Sequence, residues 1–366
     1  MPHHRASSDP EDGLLRTIAA EGPVSVARYM ELCLDHPEHG YYRRAEPFGV
    51  AGDFVTGPEV SQMFGEIVGL FLAQAWLDQG RPDPVRLVEL GPGRATQLRD
   101  LLRATAAVPG FQDALDLHLV ERSPRLVQVQ QAALGEHAAT WHARLEDVPE
   151  GPLLLVANEF LDALPVHQLV RRDDVWIERR IAVAGGRLGF EETVPAAPGL
   201  AGFAPPDAPE GAVSEVSPAR QGLVREVAGR LVRDGGLALL IDYGAARDGP
   251  TGDTLQAVRA HRPVDPLEQP GTADLSSQVD FRALAQAAGA EGATSYGPVF
   301  QGTFLRTLGI EVRAARLIEA AEGDDRRSVR RALHRLADPG AMGEVFKVLV
   351  LTAPDAPPPP GFVEDE

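Results

Sequence analysis

The sequence predicts an α/β fold in which a mixed sheet carries helices on both faces. Three observations predict it. From Val85 onward, apolar strand-like runs alternate with amphipathic helical runs, the pattern of a doubly wound sheet. The stretch VELGPGRAT joins the first of these strands to its helix through a glycine turn. Unsatisfied N–H groups at a helix N-terminus make such a turn a ligand cradle. The run PLLLVANE is apolar almost throughout, as strands buried on both faces are.

Taken in order, Leu14 to Leu34 read as two short helices broken at Gly22-Pro23, with Ser25 an N-cap. HPEHGYYRRAEPFGVAGDFVTG has no helical period and reads as a long loop. Pro58 opens the helix PEVSQMFGEIVGLFLAQAWLDQG, which Gly80 stops. VRLVEL is a strand and QLRDLLRATAA a helix; LDLHLVE is the second strand, and Ser123-Pro124 cap the helix RLVQVQQAALG. ATWHARL and PLLLVANE are the third and fourth strands, GLVREVAGRLVRDGG a helix and LALLIDYG the fifth strand. VDFRALAQAAGA is a helix, and ATSYGPV with FKVLVLTA forms a closing pair. Two stretches break the rhythm. HQLVRRDDVWIERRIAVAGGRLGFEETV reads as antiparallel strands turning at Asp173-Asp174 and Gly185-Gly186. LRTLGIEVRAARLIEAAEGDDRRSVRRALHRLADPGAMG reads as helices inserted before the last strand.

The expected organisation is a disordered tail over 1–12, an N-terminal helical region with a covering loop over 13–84, a sheet domain over 85–352, and a disordered tail over 353–366. Insertions near 166–216 and 303–343 are read as a substrate-side cap or a subdomain, with a purely structural role equally open.

A formal net charge of -18 argues against nucleic acid and anionic membranes as partners, since both want a basic face. The one cysteine, Cys33, allows no intrachain disulfide or cysteine metal cluster. It lies in the amphipathic YMELCL and reads as a packed thiol. The opening MPHHRASSDPEDG lacks an apolar core, so it is not a secretory signal, and no apolar run is long enough for a bilayer. The expectation is a soluble, cytoplasmic protein without membrane insertion. His261, Asp265 and Asp274 lack regular ligand spacing, so a hydrogen-bonded loop is expected there and no metal. His167 reads as a strand residue, and Trp76, Trp141 and Trp176 as packing.

Three ligands compete for VELGPGRAT. A P-loop needs Lys-Ser/Thr after its last glycine, and none follows. The dinucleotide fingerprint G-x-G-x-x-G/A fits Gly91 and Gly93 but meets Thr96 at the sixth place. S-adenosylmethionine enzymes of the Rossmann-like class carry E-x-G-x-G, here Glu89-Leu90-Gly91-Pro92-Gly93. Bare glycine backbone admits the cofactor closely, and Glu89 beside the turn can hold an ammonium. Glu121, ending the second strand, is acceptor-only and suits a ribose diol.

GYY (Gly40 to Tyr42), GDFVTGPEVSQMFGE, VELGPGRAT, HLVERSP, NEFLDALPVHQ, IDYG, GTADLSSQVDF and MGEVFKVL occur in this order from about residue 25 to 350. That set resembles the MidA family, whose mitochondrial relatives are complex I assembly-factor methyltransferases acting on a protein arginine. The resemblance implies a class I methyltransferase (Rossmann-like) fold with an N-terminal helical extension and inserted antiparallel strands and helical cap. It also implies S-adenosyl-L-methionine as cofactor and, as partner, a protein substrate with an exposed arginine, a respiratory-complex subunit among the candidates. Two departures stand out. Ala95 replaces the third glycine of the family's turn, which cofactor binding should survive if the site is not at positive φ. Leu161 replaces an aromatic and could loosen a substrate wall.

Guanidinium is a poor nucleophile while delocalised and charged, and a carboxylate pair can hold it bidentately. NEFLDALP ends the fourth strand, where open α/β sheets bind ligands. Glu159 is therefore the expected guanidinium acceptor, Asp162 the second carboxylate, and Asn158 a cofactor contact. Tyr41, Tyr42, Asp53, Thr56 and Glu59 are expected to close over the site, Thr56 touching the cofactor. Leu145 and Glu146 follow the third strand, where this fold holds adenine. Two other classes fit part of this pattern: a small-molecule O- or N-methyltransferase, and a non-catalytic assembly factor with a cofactor-shaped pocket.

Overall fold

The computed structural model describes residues 10–44, 56–245 and 252–362. They divide into two compact units. One comprises 56–161, 222–245 and 280–362, the other 10–44, 162–221 and 252–279.

The larger unit is built on β1 (Val85–Leu90), β2 (Leu115–Val120), β3 (Ala139–His142), β4 (Leu153–Asn158), β5 (Gly236–Ala245), β6 (Thr294–Phe300) and β7 (Phe346–Thr352). These run in the order β3-β2-β1-β4-β5-β7-β6. β1 to β5 are mutually parallel, and β7 lies antiparallel between β5 and β6, the closing pair read from the sequence. The direction of winding reverses between β1 and β4, where Leu90 faces Ala157. Such a switch point opens a crevice at the carboxyl ends of the strands. β4 and β5 are sheathed on both faces, and Leu153 to Ala157 and Leu237 to Ile241 are all buried.

The helix Gln62–Asp78 packs on the helix Thr96–Thr105 through Gly65 and Gly69, one turn apart. A Cβ at Gly65 would stand 2.8 Å from the Asp100 Cβ, and one at Gly69 would stand 2.9 Å from the Leu101 Cα. The single helix expected from Pro58 is divided. Ser61 is extended, with φ -166, and its Oγ accepts the Met63 N–H, so Gly57–Val60 is a separate turn. The inserted helices Gln301–Thr307, Ile310–Ala320, Gly323–Ala337 and Met342–Val345 are present. They deliver Phe304, Leu305, Ile310, Ala314 and Leu336 to the core of this unit. The expected tail over 353–366 is corrected in part, because Phe362 packs against that core, beside Tyr296 and Phe304.

In the smaller unit the helices Pro10–Glu21 and Val26–Asp35 follow the expected break at Gly22-Pro23, so residues 10–12 are helical. Ser25 Oγ accepts the Arg28 N–H at 3.1 Å, the expected cap. Leu14, Ile18, Tyr29, Met30 and Cys33 pack with Tyr41, Val166, Ile181 and Leu275. The strands His167–Arg172, Val175–Ala184 and Arg187–Pro195 form the two expected hairpins. Both hairpins turn on left-handed residues, Asp173-Asp174 at φ 45 and 62 and Gly185-Gly186 at φ 59 and 77. Gln256–Arg259, Arg262–Val264 and Asp274–Ser276 form a three-stranded sheet where a loop was expected. The N-terminal region read as one stretch over 13–84 thus divides. Residues 13–44 belong to the smaller unit with 166–216 and 252–279, while 56–84 belong to the larger.

Candidate active site

The glycine turn after β1 holds three left-handed residues, Gly91 (φ 60), Gly93 (φ 53) and Ala95 (φ 59). A Cβ on Gly91 would meet Phe160 Cδ2 at 2.6 Å. Ala95 caps the helix Thr96–Thr105 at φ 59, ψ 24, so the condition under which alanine was expected to be harmless is not met. The backbone strain is about 1 kcal/mol, and the buried methyl packs in the core.

Glu89, on β1, is buried. Gln97 Nε2 donates to its Oε1 at 2.9 Å, and its Oε2 is buried without a hydrogen-bond partner. Burial pushes its carboxyl up to about 8, against the lowering effect of Gln97. On the adjoining β4, Asn158 Oδ1 is likewise buried and unpartnered. Two buried oxygens without partners therefore flank the switch point, and the Glu89 oxygen is an acceptor once its carboxyl is ionised. A buried polar atom without a partner costs about 1–3 kcal/mol, and both are answered by a ligand carrying N–H donors.

Glu121 follows β2. Its Oε1 accepts the Ser123 N–H at 2.7 Å, and its Oε2 accepts Gln130 Nε2 at 3.1 Å. The segment before the helix Gln62–Asp78 is tied to the same edge. Thr96 Oγ1 donates to Glu59 Oε1 at 2.5 Å, and Arg94 Nη1 stands 3.9 Å from Glu59 Oε2. Thr56 caps Gly57–Val60 through its carbonyl, which accepts the Glu59 and Val60 N–H groups. The Gly57 N–H donates to Glu159 Oε1 at 2.8 Å.

Glu159 ends β4 in a left-handed conformation, φ 50. Its N–H donates to the Ile241 carbonyl at 2.9 Å. Two residues on, the Leu161 N–H donates to Asp242 Oδ2 at 2.9 Å, while Asp242 Oδ1 accepts the Tyr243 N–H at 2.8 Å. The Leu161 side chain is fully buried. Leu145 is buried as well, and its carbonyl accepts Arg230 Nη2 at 2.8 Å. Glu146 is exposed and pairs with Arg144.

The smaller unit carries the remaining candidates. Burial raises the Asp162 carboxyl to about 6, with the Arg220 charge opposing. Arg220 donates to the carbonyls of Asp162, Leu164, Ser277 and Gln278 and to Ser277 Oγ. Tyr41 is a core residue. Tyr42 Oη donates to Asp274 Oδ1 at 2.8 Å, and burial raises its phenol well above the usual range. Asp53 lies outside the described residues. Asp265 Oδ1 accepts the Leu267 N–H at 2.9 Å, and His261 sits in the turn between two short strands. Among the described residues no group of three or more His, Cys, Asp or Glu side chains could hold a metal.

One sheet edge thus brings together Glu89, Gly91, Gly93, Glu121, Asn158, Glu159, Thr56 and Glu59. Tyr41, Tyr42 and Asp162 belong to the other unit. Sequence reasoning missed Gln97, Gln130 and Asp242. Asp242 follows the apolar run Leu237 to Ile241 as Glu121 follows β2, so the same signal could have found it. A glutamine in a helix carries no such mark.

A seven-strand order with one antiparallel insertion, acids at the strand ends and a glycine turn at the switch point define a class I methyltransferase fold with a nucleoside-cofactor edge. Comparison with known proteins agrees. The family described as "Putative S-adenosyl-L-methionine-dependent methyltransferase" matches residues 67–299. The mitochondrial protein arginine methyltransferase NDUFAF7 homolog of Drosophila melanogaster is 38% identical, covering 94% of this chain and 87% of its own. Its counterpart in Homo sapiens is 34% identical, covering 92% and 82%. A crystal structure from Burkholderia thailandensis bound to S-adenosyl-homocysteine superposes with a TM-score of 0.81 at 29% identity, covering 97% of this chain and 94% of that one. The chain belongs to this S-adenosylmethionine-dependent methyltransferase family. The expectation of a cytoplasmic protein is corrected by the same comparison, because these relatives are described as mitochondrial. The expectation rested on the lack of long apolar runs, which does not distinguish one aqueous compartment from another. No described helix is long and apolar enough to cross a membrane.

Proposed function

We propose that this methyltransferase acts on an arginine side chain of a protein substrate. The observation that carries the reading is Glu159. A non-glycine residue persists at positive φ only where its surroundings over-determine it. Here the Ile241 carbonyl, the Asp242 carboxylate and the Gly57 N–H hold the turn from both sides. The result is an acid fixed at the carboxyl end of β4, beside the glycine turn. A carboxylate there matches a guanidinium in charge and hydrogen-bond geometry. The mitochondrial relatives at 34–38% identity are named protein arginine methyltransferases, which supports the same choice.

S-adenosylmethionine supplies an electrophilic methyl group. In this reading Glu89 and Asn158 offer their orphaned oxygens to its N–H groups, Gly91 and Gly93 admit it, and Glu121 takes the ribose hydroxyls. Leu145 and Glu146 lie at the adenine end by strand order. Glu159 orients the guanidinium and draws its charge toward one side, leaving a nitrogen to face the methyl group. Glu59, held by Thr96 and Arg94, fixes the segment carrying Gly57 against Glu159. The test is Glu159→Gln. Turnover on arginine should fall by at least a hundred-fold while S-adenosyl-homocysteine affinity stays within about three-fold. Full turnover with cofactor binding intact would remove Glu159 from the reaction.

A further inference from the structure

Gln130 lies in the helix Pro124–Leu134 and is fully buried. Its amide nitrogen donates to the Gly93 carbonyl at 2.9 Å and to Glu121 Oε2 at 3.1 Å. Its amide oxygen accepts the Trp141 indole N–H at 2.8 Å. An indole nitrogen can only donate. Trp141 therefore dictates which end of the Gln130 amide is oxygen, and both amide hydrogens are aimed at the glycine turn and at Glu121. One side chain, oriented by a second, joins two separate parts of the cofactor edge, the turn after β1 and the acid after β2.

We propose that Gln130, oriented by Trp141, is a positioning residue for cofactor binding. It holds the Glu121 carboxylate in register with the backbone of Gly93. The inference rests on Glu121 as the acid that takes the ribose. Gln130 itself touches no reacting atom. A hydrocarbon of the same size would fill the same space yet make none of the three bonds, to the Gly93 carbonyl, to Glu121 Oε2 and from the Trp141 N–H. The Glu121 carboxylate would keep the Ser123 N–H but lose the bond that ties it to the turn after β1. Trp141 acts at one remove, since without its N–H the Gln130 amide can turn over and present oxygen to Glu121, a repulsive contact.

The test is calorimetric titration of S-adenosyl-homocysteine into the wild-type chain, Gln130→Leu, Trp141→Phe, Glu121→Gln and the double variant Gln130→Leu/Glu121→Gln. Thermal stability is followed alongside. Gln130→Leu should weaken binding about ten-fold and Trp141→Phe about three-fold. The double variant should be little weaker than Glu121→Gln alone, because Gln130 acts through Glu121. Gln130→Glu preserves the shape and the acceptor for Trp141 but sets a second carboxylate against Glu121. It should bind more weakly than Gln130→Leu while remaining folded, which separates positioning from packing. Unchanged affinity in Gln130→Leu and Gln130→Glu, with a loss in Glu121→Gln, would overturn the proposal. So would fully additive losses in the double variant. Unchanged affinity in Glu121→Gln would instead remove the ribose assignment on which the proposal rests.

Discussion

Glu89→Gln should make the cofactor-free protein more stable at alkaline pH while weakening its hold on the cofactor. Glu89 is buried at the switch point with one carboxylate oxygen unpartnered, and burial pushes it up to about 8. The sign follows from proton linkage. An unfolded chain ionises this side chain near its ordinary value of 4.5, while the folded chain keeps the proton until about pH 8. Stability is therefore fully present below 4.5, falls as pH rises, and has lost this contribution by the time pH passes about 8. The interval sets a ceiling of roughly 5 kcal/mol, of which solvent relaxation around a strand end leaves about 1–3 kcal/mol. The amide carries no charge and still accepts from Gln97. Urea unfolding at pH 4.5 and pH 8.5 measures the effect. In a Trp176→Phe background the fluorescence follows Trp76 and Trp141, both in the larger unit. The variant should match wild type at pH 4.5, exceed it by about 1–3 kcal/mol at pH 8.5, and bind S-adenosyl-homocysteine at least ten-fold more weakly. A difference that does not change with pH, or a variant less stable at pH 8.5, would refute the assignment of Glu89 as a buried acid held for a ligand.

Other outcomes follow from the same structure. Arg220→Met removes the donors to four backbone carbonyls and should cost about 3 kcal/mol or more in denaturant unfolding. Arg220→Lys should recover little, since an ammonium cannot span the set. Truncation after residue 353 should lower the melting temperature by several degrees, because Phe362 packs on the core, and Phe362→Ala should reproduce about 1–3 kcal/mol of that loss. Burial pushes the Cys33 thiol up to about 12, so it should resist a disulfide reagent at pH 8 in the native state and react once urea unfolds the chain. Fast labelling of native protein would contradict its burial.

The sheet was legible because its determinants are local. VRLVEL, LDLHLV and LLLVAN are apolar runs of strand length, Ser25 and Ser123 are side-chain caps, and the Asp-Asp and Gly-Gly pairs sit where left-handed turns require them. The short sheet around His261 was not legible, because its strands carry Arg and Pro and span at most four residues. Ser61 dividing a helix depends on one extended backbone angle that composition does not announce. The left-handed state of Ala95 runs against its residue type and follows from the turn it completes. That each unit is assembled from three separate stretches of chain is a matter of long-range contact within it, which no window of sequence contains. At the site, charged residues at strand ends were visible. Their partners Gln97 and Gln130 were not, since a glutamine on a helix gains meaning only from what the fold brings opposite it.

Methyl transfer to protein arginine is the reaction proposed for this chain. It is tested most directly by incubating purified protein with methyl-labelled S-adenosylmethionine and an extract from cells lacking the gene, then mapping the label by mass spectrometry. Label is expected on the guanidino nitrogen of an arginine in a protein, and should be lost with Glu159→Gln. Label confined to a small molecule or to another residue type, under conditions where S-adenosyl-homocysteine binds, would contradict it.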